Sequence, residues 1–223
     1  HATQADRLAM LPADPSFRET AAGALLLAGV LYEAGIDGLS RTMINTLRAH
    51  TRRALVGDHG RRALEADLGL TANSWRRDPG EAALVLTLGA WAANAPKLCD
   101  QQRLRTTWDH TARLEEGTGG PTAATRSAIA TLGWTAEGPL QWRRRDGTMV
   151  PTHDPSALRS AVHHDWRAIQ WHNVGTRRVD FAGAAGGIDE ELSTRTERTW
   201  RRKGQFREYG SMRCIHAGGT WPQ

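Results

Sequence analysis

At 223 residues, with a formal net charge of +5 and an apolar share of 39%, the chain is long enough for one large domain or two small ones. Its sign of charge suits a polyanionic partner. Two cysteines, Cys99 and Cys214, far apart in sequence, define no disulfide framework and fit a reducing, intracellular compartment. No apolar run approaches the roughly 20 residues needed to cross a bilayer, which argues against a membrane helix; the closest, Ala21 to Leu31, contains two glycines.

Residues 1–16 are polar and carry Pro12 and Pro15, the composition of a linker or entering segment. From Phe17 to Ala34 the apolar residues cover most of a helical circumference, which predicts a buried helix stopped by Gly35. Ser40 is placed to cap a second helix with an inner face of Met43, Ile44, Leu47 and Leu55, and with Arg41, Arg48 and Arg52 on another face. A short helix follows at Arg61 to Leu68.

Asp78-Pro79-Gly80-Glu81 reads as a cap, a first-position proline and an acid in the first turn. The helix it opens carries Leu84, Val85, Leu88 and Trp91 on one stripe and ends near Asn94 and Pro96. Lys97 to Glu116 is read as another helix, before the break Gly117-Thr-Gly-Gly-Pro121, where a lobe boundary is expected.

After a short helix at Thr122 to Leu132, Trp134 and Trp142 flank a Gly138-Pro139 turn. Asp146-Gly147 then signals a hairpin turn in which both central residues have positive φ. Asp154-Pro155 opens a helix to Trp171 that buries Leu158, Val162, Trp166 and Ile169 and turns Arg159, His163 and Arg167 outward. Gly183 to Gly187 reads as a flexible joint, Ile188 to Lys203 as an exposed helix whose charge pattern suits the macrodipole, and a last helix reaches Ala217.

No catalytic constellation emerges. Cys214 and His216 are the only closely spaced Cys/His pair, which is too few for a zinc site. His163 and His164 point about 100° apart on a helix, not one turn apart as a helical metal motif requires. Nucleophile elbow, phosphate loop and the adjacent Asp-Asp pair of reverse transcriptases are all absent, so no catalytic residue, metal or cofactor is assigned.

What remains is arginine beside tryptophan. Of 29 basic residues only Lys97 and Lys203 are lysine, and arginine is the side chain suited to bidentate phosphate contact. A GC-rich coding sequence that inflates Arg, Ala and Gly together is the competing explanation. The clusters are Arg48, Arg52 and Arg53; Trp75 with Arg76 and Arg77; Trp142 with Arg143, Arg144 and Arg145; and Trp200 with Arg201, Arg202 and Lys203. Phosphates held by arginine, with bases stacked on indole, are the physical content of non-specific nucleic-acid binding. The opposite reading is a solvated arginine surface with the tryptophans turned inward.

The motif order Ala28-Gly-Val-Leu-Tyr-Glu33, Leu47-Arg-Ala-His-Thr-Arg-Arg-Ala-Leu-Val-Gly57, Arg77-Asp-Pro79, Leu132-Gly-Trp134 with Trp142, and Ala217-Gly-Gly-Thr-Trp221 resembles the region after the polymerase core in LINE-type (non-LTR) retrotransposon reverse transcriptases. Glu33 stands where glycine is common in that family, and no residue matches the palm aspartates. The resemblance implies a thumb and connection segment that binds RNA or an RNA–DNA duplex but does not polymerise alone. It adds the polymerase core of the same polyprotein as a protein partner and makes the chain a remnant, a fragment or a separately encoded piece. The expectation is thus a mainly α protein of two helical lobes with one small β-hairpin in the second. Residues 17–116 form a thumb-like lobe, 121–217 a hairpin-plus-helix connection lobe, and 218–223 a truncated exit segment. The alternatives are an assembly protein whose exposed tryptophans bury against a partner, and an enzyme with an unrecognised acid/base site.

Overall fold

A computed structural model of the chain describes residues 2–11, 15–56, 63–69, 78–97, 100–111, 119–186, 195, 199–200 and 202–205. Among them the chain is mainly helical. Helix α1 is Ala2–Met10, and α2 (Pro15–Ala22) continues through a π-helical turn at Gly23–Leu27 into α3 (Ala28–Asp37). Then come α4 (Arg41–Val56), α5 (Leu64–Gly69), α6 (Pro79–Asn94), α7 (Gln101–Thr111), α8 (Pro121–Thr131) and α9 (Pro155–Arg177). A two-stranded antiparallel ribbon, β1 (Thr135–Ala136) with β2 (Trp142–Arg143), lies between α8 and α9, pairing Thr135 with Arg143 and Ala136 with Trp142. No helix of the described residues is long and apolar enough to cross a membrane.

The helix starts follow local chemistry. Asp154 Oδ1 accepts the N–H groups of Ser156 (2.8 Å) and Ala157 (3.2 Å), so α9 has its cap immediately before Pro155. Ser40 Oγ accepts the Met43 N–H at 3.2 Å to open α4, and Asp100 Oδ1 accepts the Arg103 N–H at 2.9 Å to open α7. Helix α7 therefore starts later than the expected Lys97, and its last expected turns fall outside the described residues.

Two compact units interleave along the sequence. The first holds residues 1–27, 46–78 and 167–223; the second holds 28–45 and 79–166. The expected boundary at Gly117–Pro121 contrasts with this, because α6, α7 and α8 on its two sides share the second unit. The physical reason is α6. It is buried nearly all round, from Pro79 through Leu84 and Leu88 to Trp91, and needs neighbours on every side: it packs on both α3 and α8.

In the second unit Leu132, Trp134, Trp142, Val150, Leu158, Val162 and Trp166 complete the core. Gly80 lies so close under Trp166 that a Cβ there would stand 2.5 Å from Cζ2 of the ring. In the first unit Ala63, Ala66, Trp171, Val174 and Ala184 form one apolar cluster, with Phe181 against it.

Further expectations differ from the structure, beginning with Met43, which is exposed rather than on the inner face of α4. Residues 2–10 are helical rather than a linker, because Ala5 and Leu8, one turn apart, are both buried. The helix through Phe17 to Ala34 forms and continues past Gly35, but it is not buried all round: Phe17, Leu25, Tyr32 and Ile36 are exposed. Glycines 183 and 186 belong to 3-10 turns, Val179–Gly186, anchored by buried Ala184, rather than to a flexible joint. Arg167 is buried, not outward. Of the helix expected at Ile188 to Lys203 only Arg195, Thr199, Trp200 and Arg202 are described as helical, and the helix expected up to Ala217 lies outside the described residues, as do 218–223.

Candidate nucleic-acid interface

The Leu132–Val150 stretch begins where α8 ends. The Gly133 N–H donates to Ala130 O (2.9 Å) and the Trp134 N–H to Ile129 O (3.0 Å), with Gly133 at φ +68°, a helix stop that needs a residue without a Cβ penalty. Beyond β1, the indole N–H groups of Trp91 and Trp142 both donate to Pro139 O, at 2.7 and 3.2 Å, and fix the Gly138-Pro139 turn.

The Asp146-Gly147 signal produces a turn of a different type from the one expected. Arg144 N–H donates to Thr148 O, Gly147 N–H donates to Arg144 O, and Gly147 alone has positive φ, at +84°. This is a three-residue loop, Arg145 to Gly147, with glycine in the left-handed position. Asp146 keeps negative φ because its carboxylate is engaged by the N–H (2.9 Å) and Oγ1 (2.6 Å) of Thr148, an Asx turn, which also lowers its pKa.

The three arginines have three different fates. Arg143 Nε donates to Glu137 Oε1 at 2.5 Å across the ribbon, and Nη1 reaches Gly147 O at 3.3 Å. Arg144 forms a two-pronged pair with Asp165 on α9: Nε to Oδ2 at 2.8 Å and Nη2 to Oδ1 at 2.5 Å. The Trp134 indole N–H reaches the same carboxylate at 2.6 Å, and His164 Nδ1 lies 3.0 Å from Asp165 Oδ1 and 2.9 Å from Arg144 Nη2. Burial raises the Asp165 carboxyl, but hydrogen bonds from Arg144, His164 and Trp134 outweigh it and bring it down to about 2. Arg145 is exposed, and its guanidinium rests on Gly133, with Nε only 2.2 Å from where a Cβ would stand.

The other candidate arginines are placed as follows. Arg48 is buried, with Nε 2.9 Å from Asp78 Oδ1 and Nη2 donating to Gln170 Oε1 at 2.7 Å. Arg52 pairs with buried Asp67 at 3.0 Å, and the half-exposed Arg53 pairs with Asp6 at 2.7 Å. These three serve the first unit internally, which corrects the expectation of an arginine face open to phosphate. Arg202 and Lys203 are exposed; Arg76, Arg77 and Arg201 lie outside the described residues.

The described tryptophans correct the stacking expectation as well, while Trp75 and Trp221 lie outside the described residues. Trp91, Trp108, Trp134, Trp142, Trp166 and Trp171 are all buried, Trp142 completely, and Trp200 is half-buried. Arg126 lies 4.9 Å over the Trp108 ring, an arginine–indole contact not adjacent in sequence. The acids that hold the hairpin, Glu137 and Asp165, went unassigned as partners. Glu137 and Arg143, on either side of the Gly138-Pro139 turn, carried a cross-strand signal, whereas nothing local points from Asp165 to Arg144. His163, partly exposed, leans on Glu81, a fully buried acid at the start of α6, at 2.8 Å, the locally hydrogen-bonded form of its expected outward placement.

Charge is unevenly divided. The first unit holds 19 of the 29 Lys and Arg against 13 of the 24 Asp and Glu, and the second holds 10 against 11. No group of three potential metal ligands occurs among the described residues. Chemically, the hairpin site offers a closed ion-pair clamp and one exposed cation, Arg145, without a carboxylate partner among the described residues. No protein-family model, curated protein or solved structure matches the chain.

Proposed function

We propose that the chain is a nucleic-acid-binding, thumb/connection-like segment of a retroelement reverse transcriptase. It holds RNA or an RNA–DNA duplex beside a polymerase core and does not catalyse alone, in a reducing intracellular compartment. The motif order carries the family reading, and the charge division carries the binding reading. The first unit alone has six more basic than acidic residues, enough to draw a polyanion even though Arg48 and Arg52 are engaged internally. With the core tryptophans buried, contact is with the phosphate backbone and is not sequence-selective.

Fluorescence anisotropy with a short labelled RNA–DNA duplex, titrated between about 50 and 200 mM KCl, tests this. Log affinity is expected to fall linearly with log salt, and Arg202→Ser with Lys203→Ser to flatten the slope by about 0.9 per cation removed. A wild-type chain with no salt-dependent binding sinks the reading.

One observation favours assembly with a protein instead. Tyr32 (81% exposed) and Ile36 (55%) lie one turn apart on α3 as an apolar stripe. No described tryptophan joins this stripe, whereas the alternative rested on exposed tryptophans. Sedimentation velocity of the wild type against Tyr32→Ser with Ile36→Ser separates the two readings: only an assembly role predicts that the pair of changes abolishes a larger species.

A further inference from the structure

The geometry points to Arg145 as the single phosphate-contacting member of the Arg143-Arg144-Arg145 run, with Arg143 and Arg144 acting as positioning residues for the loop that presents it. This rests on the nucleic-acid reading above and assigns the second unit's share of it.

The argument begins with donors. An arginine binds a phosphodiester through the paired N–H groups of its fork, so a guanidinium whose fork is already filled by a carboxylate has little left to offer. Arg144 has its Nε and Nη2 on Asp165, and Arg143 has its Nε on Glu137 and Nη1 on Gly147 O. Exchanging either partner for a phosphate leaves Glu137 or the largely buried Asp165 without its cation, and Asp165 also holds the Trp134 indole. Arg145 alone in the run has no such partner among the described residues.

Arg145 is also held in place. Its Nε/Nη2 edge occupies the volume that a side chain at position 133 would fill, against a glycine whose φ of +68° already excludes most residues. That edge is therefore packed, and the exposed residue offers a phosphate its outer end, the Nη1/Nη2 pair, from a side chain already held in place, which lowers the rotamer entropy lost on binding. The neighbouring acid does not compete, since Asp146 turns its carboxylate into the loop, onto Thr148. Because the second unit has 10 basic against 11 acidic residues, it creates no attractive field of its own. Its contribution to a polyanion contact is local, through one positioned cation.

The test uses the full chain and the same labelled RNA–DNA duplex. Arg145→Ser is expected to weaken binding several-fold at about 100 mM KCl and to reduce the salt slope by about 0.9, one phosphate contact. Arg145→Lys restores the slope, because one charge still displaces one counterion, without fully restoring affinity. Arg144→Ser is expected to speed amide exchange at Val150, whose N–H donates to Trp142 O, and to leave the slope at the wild-type value. Wild-type slope in Arg145→Ser, with hairpin exchange unchanged, overturns the assignment while the binding reading stands. A slope lost equally in Arg144→Ser and Arg145→Ser overturns the division of roles. Absence of any wild-type binding removes both this assignment and the reading beneath it.

Discussion

Replacing Asp165 with asparagine isolates the clamp that joins the hairpin to α9. Asparagine keeps an oxygen for the Trp134 indole but removes the charge that faces Arg144. Two routes give the cost. The carboxyl sits at about 2 instead of its ordinary 3.8, worth up to about 2 kcal/mol at neutral pH, and the solvent screening left to this partly buried pair reduces that to about 1 kcal/mol. The pair itself, with side chains 20% and 13% exposed, falls between surface pairs worth under about 1 kcal/mol and buried pairs whose breakage costs about 3–5 kcal/mol. Asp165→Asn is therefore expected to destabilise the hairpin by about 1–2 kcal/mol at pH 6–7. Since the folded carboxyl lies below its unfolded value, this stability is complete above about pH 5 and is lost as pH falls through 4 toward 2. The assay is amide exchange at Arg144 and Val150, whose N–H groups donate to Thr148 O and Trp142 O, alongside urea unfolding, both run from pH 7 to pH 3. The gap between wild type and variant should narrow on acidification, because the unfolded wild-type chain takes up a proton at Asp165 that the folded carboxyl, held at about 2, does not. A gap of constant size across that range, or none at pH 7, refutes the assignment of Asp165 as an ionised clamp.

Gly80→Ala is expected to destabilise the second unit by about 1–2 kcal/mol in urea unfolding, since the added methyl meets the Trp166 ring at 2.5 Å and Ile44 at 3.2 Å, and overpacking outweighs the gain in helix propensity. A more stable variant refutes the close approach. Asp154→Ala removes the acceptor for two α9 N–H groups and should cost about 1 kcal/mol, read as faster exchange at Ser156 and Ala157 with no change at Leu47.

The features legible in the sequence are those whose cause is local. The Asp154-Pro155 and Ser40 caps, the apolar run of α6 and the ribbon around Gly138-Pro139 each follow from a few adjacent residues. Partnership across the chain was not legible. Arg48 meets Asp78 and Gln170, and Arg144 meets Asp165, and periodicity assigns a residue to a face without naming the carboxylate opposite. Helix α1 escaped notice because its burial rests on Ala5 and Leu8, too few apolar positions for a periodic pattern in a polar stretch. The helix through α3 misled in the other direction, since continuous apolar composition does not reveal that one side, at Tyr32 and Ile36, is left uncovered by the described residues.

The repeated Trp-Arg adjacency illustrates how one pattern supports opposite conclusions until its local structure is known. If neighbours share a face, an indole beside a guanidinium is a stacking platform with a phosphate ligand next to it. On an extended strand, however, successive side chains point to opposite sides. Trp142 is completely buried on β2, so Arg143 faces away from it, toward Glu137, and Arg144, on the side of Trp142 again, reaches Asp165 on α9. The adjacency at 142–143 is thus the signature of a ribbon with one buried face, and the arginine that remains for a phosphate is the one carried round the turn, Arg145, where the alternation of the strand no longer applies.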